Sequence, residues 1–143
     1  MTAVLRPFAL GVFATAALIT SAAAADRYVC QLQAMVFTGK VWTGDPVVTK
    51  MEFRSDGGNK WKVFWFDDSK YVGGGKITEF DGAGYRQNDG YTKDGLIVQF
   101  KNKYGRAYSA ALDAKGAAVL SSVTVLQDGP DVEVFQGRCA MSQ

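Results

Sequence analysis

The sequence predicts an all-β protein: one small single-domain barrel of about eight strands in an up-and-down meander, or a two-sheet sandwich, closed by one disulfide. Three observations carry that reading. Apolar and polar residues alternate with period two across residues 28–139, as they do in half-buried strands. Clusters of Gly, Asp and Asn interrupt the alternation at short intervals, and these residue types tolerate tight turns. Cys30 and Cys139 stand at the two ends of the alternating region, where the first and last strands of a closed meander lie side by side.

The chain opens on residues 1–7, whose only charged side chain is Arg6, followed by an apolar run at 8–19 and a small, uncharged stretch at 20–25. That order is the three-zone pattern of a secretory signal peptide. Cleavage is expected near Ala25, leaving residues 26–143 as one β domain. The apolar run is too short to span a bilayer as a helix, and residues 26–143 hold no apolar stretch of that length. Asp26, Arg27, Tyr28 and Val29 precede Cys30, so no lipid-anchor signal is read there. The expected location is the bacterial periplasm or the secreted medium.

Strands are expected in turn. Residues 28–37 open the domain. In 47–54, Val47, Thr49, Met51 and Phe53 share one face, and Val48, Lys50, Glu52 and Arg54 the other. Residues 55–59, Ser-Asp-Gly-Gly-Asn, form a hairpin turn. Residues 60–66 make the next strand, and 67–69 turn again. Residues 71–95 contain seven glycines and read as irregular, with a short strand at 76–80. Residues 96–101 and 106–112 pair across 102–105. Residues 113–116 turn into a long strand at 117–126, and 127–130 turn into a last one at 131–139. No helical period stands out after the leader.

The composition restricts the chemistry. The formal net charge is +2, and loss of Arg6 leaves +1, so no general attraction for nucleic acid is expected. There is no histidine, which removes Ser-His-Asp and Cys-His catalysis and the commonest zinc ligand. A lone cysteine pair in an exported chain is expected to bond. The glycine-rich stretch lacks the GxxxxGK[ST] phosphate loop. Asp67 and Asp68 read as turn residues; Glu79 and Asp81 share a strand face without declaring a cleft; Asn88 and Asp89 do not match a calcium loop. No metal, cofactor or catalytic residue is assigned.

Recognition residues are the remaining candidates. Trp61 and Trp65 lie on the most aromatic segment, KWKVFWF at 60–66, either as core or as a stacking platform. Tyr71, Tyr85, Arg86, Tyr91 and Lys93 sit on the glycine-rich frame, and Tyr and Arg on loops are frequent binding anchors. The opening Tyr28-Val29-Cys30 with a cysteine near the C-terminus, and Gly82-Ala83-Gly84-Tyr85 followed by Asp89-Gly90-Tyr91 and Lys93, resemble the periplasmic inhibitors of C-type lysozyme. Those are small β-barrels that block the lysozyme cleft. The chain departs from them at Asp81, where that family favours serine, in lacking a Trp-containing stretch before the later lysine, and in length; membership is not assigned. Residues 39–42, Gly-Lys-Val-Trp, are similar to the lipocalin Gly-x-Trp but one residue longer.

The leading expectation is an exported, non-enzymatic binding module for a protein partner or small ligand, such as a protein or enzyme inhibitor. The alternatives are an envelope structural or assembly protein and a small carboxylate-dependent hydrolase.

Overall fold

A computed structural model describes residues 26–67, 76–87 and 94–142. The segment expected to be a leader, 1–25, and Asp68, Tyr71, Asn88, Asp89, Tyr91 and Lys93 lie outside these residues. The described chain is all strand and turn, with no helix among the described residues, and so none long and apolar enough to cross a membrane. The strands are β1 (Arg27–Phe37), β2 (Lys40–Val41), β3 (Val48–Ser55), β4 (Lys60–Asp67), β5 (Lys76–Gln87), β6 (Gly95–Lys101), β7 (Ala107–Leu112), β8 (Ala117–Leu126) and β9 (Gly129–Ser142).

Every pairing is antiparallel, running β1-β3-β4-β5-β6-β7-β8-β9 and back to β1. The eight strands therefore close into an up-and-down barrel, and the sandwich alternative falls away. β2 is an additional strand paired only with the far end of β1, Val36 to Val41 and Phe37 to Lys40. It was not foreseen because it is two residues long and shows no alternation. Its turn is Thr38-Gly39, with φ of 51° and 73°, the doubly positive geometry that suits a right-twisted hairpin.

Alternation decides which side chains fill the barrel. Cys30, Leu32 and Ala34 of β1, Met51 and Phe53 of β3, Val63 of β4, Val98 of β6, Leu120 of β8 and Phe135 of β9 are all buried. At the seam Cys30 lies directly opposite Cys139, and the two are bonded. Close approach along this seam needs Gly137: a β-carbon there would stand 1.9 Å from the Gln31 carbonyl oxygen.

β5 differs most from expectation. It is a regular strand of twelve residues, longer than the short 76–80 segment the sequence suggested. Two of its glycines do not interrupt it. Gly84 faces inward beneath Trp61, whose Nε1 would lie 2.0 Å from a β-carbon placed at Gly84. The missing side chain is space for a neighbour, whereas in the sequence it read as a turn.

Candidate functional site

Strand lengths around the barrel are unequal, and that inequality builds the site. β6 and β7 form a short hairpin of seven and six residues between β5 with twelve and β8 with ten. β5 pairs with β6 only from Gly82 opposite Phe100 to Gln87 opposite Gly95. Residues 76–81 of β5 pair with β4 alone. β7 meets β8 only as far as Tyr108 opposite Ser122, so residues 123–126 of β8 also overhang. Among the described residues the wall thus has a notch at the end opposite the disulfide, with β5 on one side and the 102–105 turn on the other.

An open groove of about 960 Å³ occupies the notch. Its floor is aromatic: Phe80 stacks on Phe100 at 5.4 Å between ring centroids, and Phe100 stacks on Tyr108 at 5.3 Å. Phe100 and Tyr108 also meet Trp65 edge-on. Glu79, Asp81, Gln99, Lys101 and Lys103 line the rim. The Lys62 ammonium sits beside the first two, 2.6 Å from Asp81 and 3.2 Å from Glu79, and these hydrogen bonds, that to Asp81 foremost, raise its pKa.

Behind the floor lies an ionic cluster. The Arg106 guanidinium bonds Glu133 Oε1 at 2.5 Å, Asp131, and Thr124 Oγ1 at 3.0 Å. Tyr108 donates to Glu133 Oε2 at 3.1 Å. Burial pushes the Tyr108 hydroxyl up to about 12 and raises the Glu133 carboxyl as well, despite its arginine. Both Glu133 oxygens are engaged, so the carboxylate is held in place and is not poised as a free base. Asp131 Oδ1 and Ser122 Oγ are buried without a partner at hydrogen-bonding geometry, although Ser122 lies cross-strand from Glu133.

Of the binding residues singled out from sequence, the four that are described, Trp61, Trp65, Tyr85 and Arg86, are dispersed. Trp61 and Trp65 are core, 4% and 6% exposed; Trp65 Nε1 donates to Thr49 Oγ1 at 2.6 Å, and neither indole offers a surface platform. The outward face of β4 holds Phe64 and Phe66, each under a cation: Arg54 lies 4.5 Å from the first ring and Lys50 5.6 Å from the second. Tyr85 and Arg86 are consecutive on β5 and take opposite faces of the wall. Tyr85 is exposed outside, cross-strand from Ile97. Arg86 is tied to Asp26 and to Tyr28 Oη, 2.9 Å away, at the disulfide end. The sequence reading missed Phe80, Phe100, Tyr108, Arg106 and Glu133.

No group of three or more His, Cys, Asp or Glu side chains among the described residues is arranged to hold a metal ion. Comparison with family models, curated proteins and solved structures gave no match.

Proposed function

We propose that the chain is an exported, non-enzymatic binding module that receives its partner in the notch between β5 and the β6–β7 hairpin. The observation that carries this is the aromatic floor, Phe80, Phe100 and Tyr108, at the base of an open groove with charged walls. Apolar floors with a few directional polar groups are the usual make-up of binding sites. Export fits the Cys30–Cys139 bond, which persists in oxidising compartments. A binding role fits a chain without histidine or free thiol.

One observation favours the assembly reading as a second choice. Val41, Tyr104, Val123, Val125 and Leu126 are exposed near the same end of the barrel, Val125 by 83% and Tyr104 by 81%. Exposed apolar groups gathered in one region mark contact surfaces.

Capture from envelope extract separates the two. Gln99 is an exposed groove residue, so Gln99→Trp fills the groove without entering the core. The binding reading expects wild type to retain a partner that Gln99→Trp loses and that Val125→Ser with Leu126→Ser keeps. The reverse pattern assigns function to the apolar end, and retention by wild type and both variants refutes the groove.

A further inference from the structure

We infer that a second copy of this chain docks on the apolar end of the barrel, the two copies pairing the free edges of their β8 strands antiparallel about Val125. This rests on the assembly reading given above as the second choice, and not on the groove. Its starting point is the ribbon that β8 and β9 form beyond the barrel wall. The β7–β8 ladder ends at Tyr108 opposite Ser122, whereas β8 and β9 go on pairing from Val123 opposite Val132 to Leu126 opposite Gly129. The outer edge of β9 is met by Gly39, whose N–H donates to the Val132 carbonyl at 3.0 Å. The other edge of the ribbon, residues 123–126 of β8, pairs with no strand among the described residues. A two-stranded ribbon is marginal in water without further packing, and an unpaired edge is a template for another strand.

The edge lacks the charges and prolines that commonly blunt one: residues 122–127 read Ser-Val-Thr-Val-Leu-Gln. Val123, Val125 and Leu126 are exposed and border one recess with the exposed Tyr104; exposed Val41 follows the Gly39 turn. Side chains of these sizes carry on the order of 100–200 Å² each, so the patch exposes roughly 500 Å², at the upper end of what a monomer shows. Two such faces together bury about 1,000 Å², the size that a specific contact between proteins has to reach. Register and charge fit the same occupant. Self-pairing centred on Val125 sets Val125 against Val125, Thr124 against Leu126 and Val123 against Gln127, so no like charges meet. It stops short of Ser122, where β7 takes over the edge. In that register the tip of one ribbon, with Asp128, comes toward the β6–β7 hairpin of the other, with Lys101 and Lys103. Among the described residues none of these three has an ion pair within its own chain, so each is open to a partner across the two-fold.

Sedimentation equilibrium of the purified protein, over about a hundredfold range of concentration, tests this. Wild type should pass from the mass of a monomer to that of a dimer. Val125→Lys and Val125→Glu, at an exposed position, should each raise the dissociation constant at least about tenfold, because like charges then stand directly opposite. Their equimolar mixture should restore the dimer, which also shows that both variants are folded. Amide exchange of concentrated against dilute wild type should add protection at those amides of residues 123–127 that point away from β9. A wild type that stays monomeric, a dimer that both charged variants form as readily, or concentration-dependent protection confined to another strand overturns the inference. So does a monomer that binds vesicles of anionic lipid and loses them on Val125→Glu, which would give this end to a membrane. If wild type is monomeric while Val125→Ser with Leu126→Ser loses the envelope partner, the assembly reading stands and self-pairing falls. If that partner is kept as well, both fall.

Discussion

Trp61 lies where a β-carbon on Gly84 would stand, and that single exclusion explains why a glycine belongs in the middle of β5. Gly84→Ala must push the indole off its site in a packed core, which costs about 1–3 kcal/mol. Trp61→Phe removes the clashing edge, so the double variant should lose less than the sum of the singles in urea unfolding; strict additivity would separate the two residues. Glu52 makes a second prediction. It is buried on the outer wall between Arg27, 2.5 Å away, and Arg54. The hydrogen bond from Arg27 is the main cause that lowers its pKa from 4.5 to about 2, against the opposing effect of burial. A carboxylate depressed in the folded state stabilises it above its unfolded pKa and loses that contribution as pH falls through the folded value. Stability should therefore decline between about pH 4.5 and pH 2, and Glu52→Gln should flatten that limb while lowering stability at neutral pH. Glu133, raised by burial, contributes with the opposite sign, and the Glu52 variant isolates one from the other.

At the scale of elements, the pattern of alternation located seven of the eight barrel strands, because each has a buried face and an exposed one; of β5 it caught only 76–80, where four of the five residues are exposed. The turns at 55–59, 102–105 and 113–116 were legible because glycine with aspartate or asparagine stands where the chain must reverse. What alternation does not reveal is which strand leans on which. Gly82 and Gly84 read as breaks because the local sequence records a missing side chain and not the Trp61 that fills its place. Trp61 and Trp65 were ambiguous because both faces of β4 are aromatic, and only closure of the barrel decides which one is core. The notch was latent in the turn positions. The 102–105 turn makes the β6–β7 hairpin shorter than its neighbours, yet pairing register is needed before unequal lengths become a gap. The seam yields its own prediction. The Cys30–Cys139 bond spans a sequence separation of 109, and removing such a native bond from a small domain costs about 2–5 kcal/mol. Cys30→Ala with Cys139→Ala should lower the unfolding midpoint accordingly. An unchanged midpoint would mean that β1–β9 pairing and core packing hold the seam unaided.

For the whole molecule, the two ends of the barrel have different characters. The disulfide end is bound together by the Cys30–Cys139 bond and by Arg86 with Asp26 and Tyr28. The opposite end carries the notch, the aromatic floor and most of the exposed apolar side chains. The proposed export predicts a mature N-terminus at Asp26, which terminal sequencing of the protein from its native host checks directly; a retained leader would contradict it. The account depends most on the wall being open beside β5, and amide exchange of the free protein tests that without any partner. Gly82 and Ala83 pair with both β4 and β6, and the Gly84 N–H bonds the Asn59 carbonyl, so these amides should be protected. Within 76–81, amides bonded to β4 should be protected and the intervening ones should exchange freely, giving an alternating profile. Uniform protection along the whole of β5 would mean that its edge is covered and that the barrel has no notch.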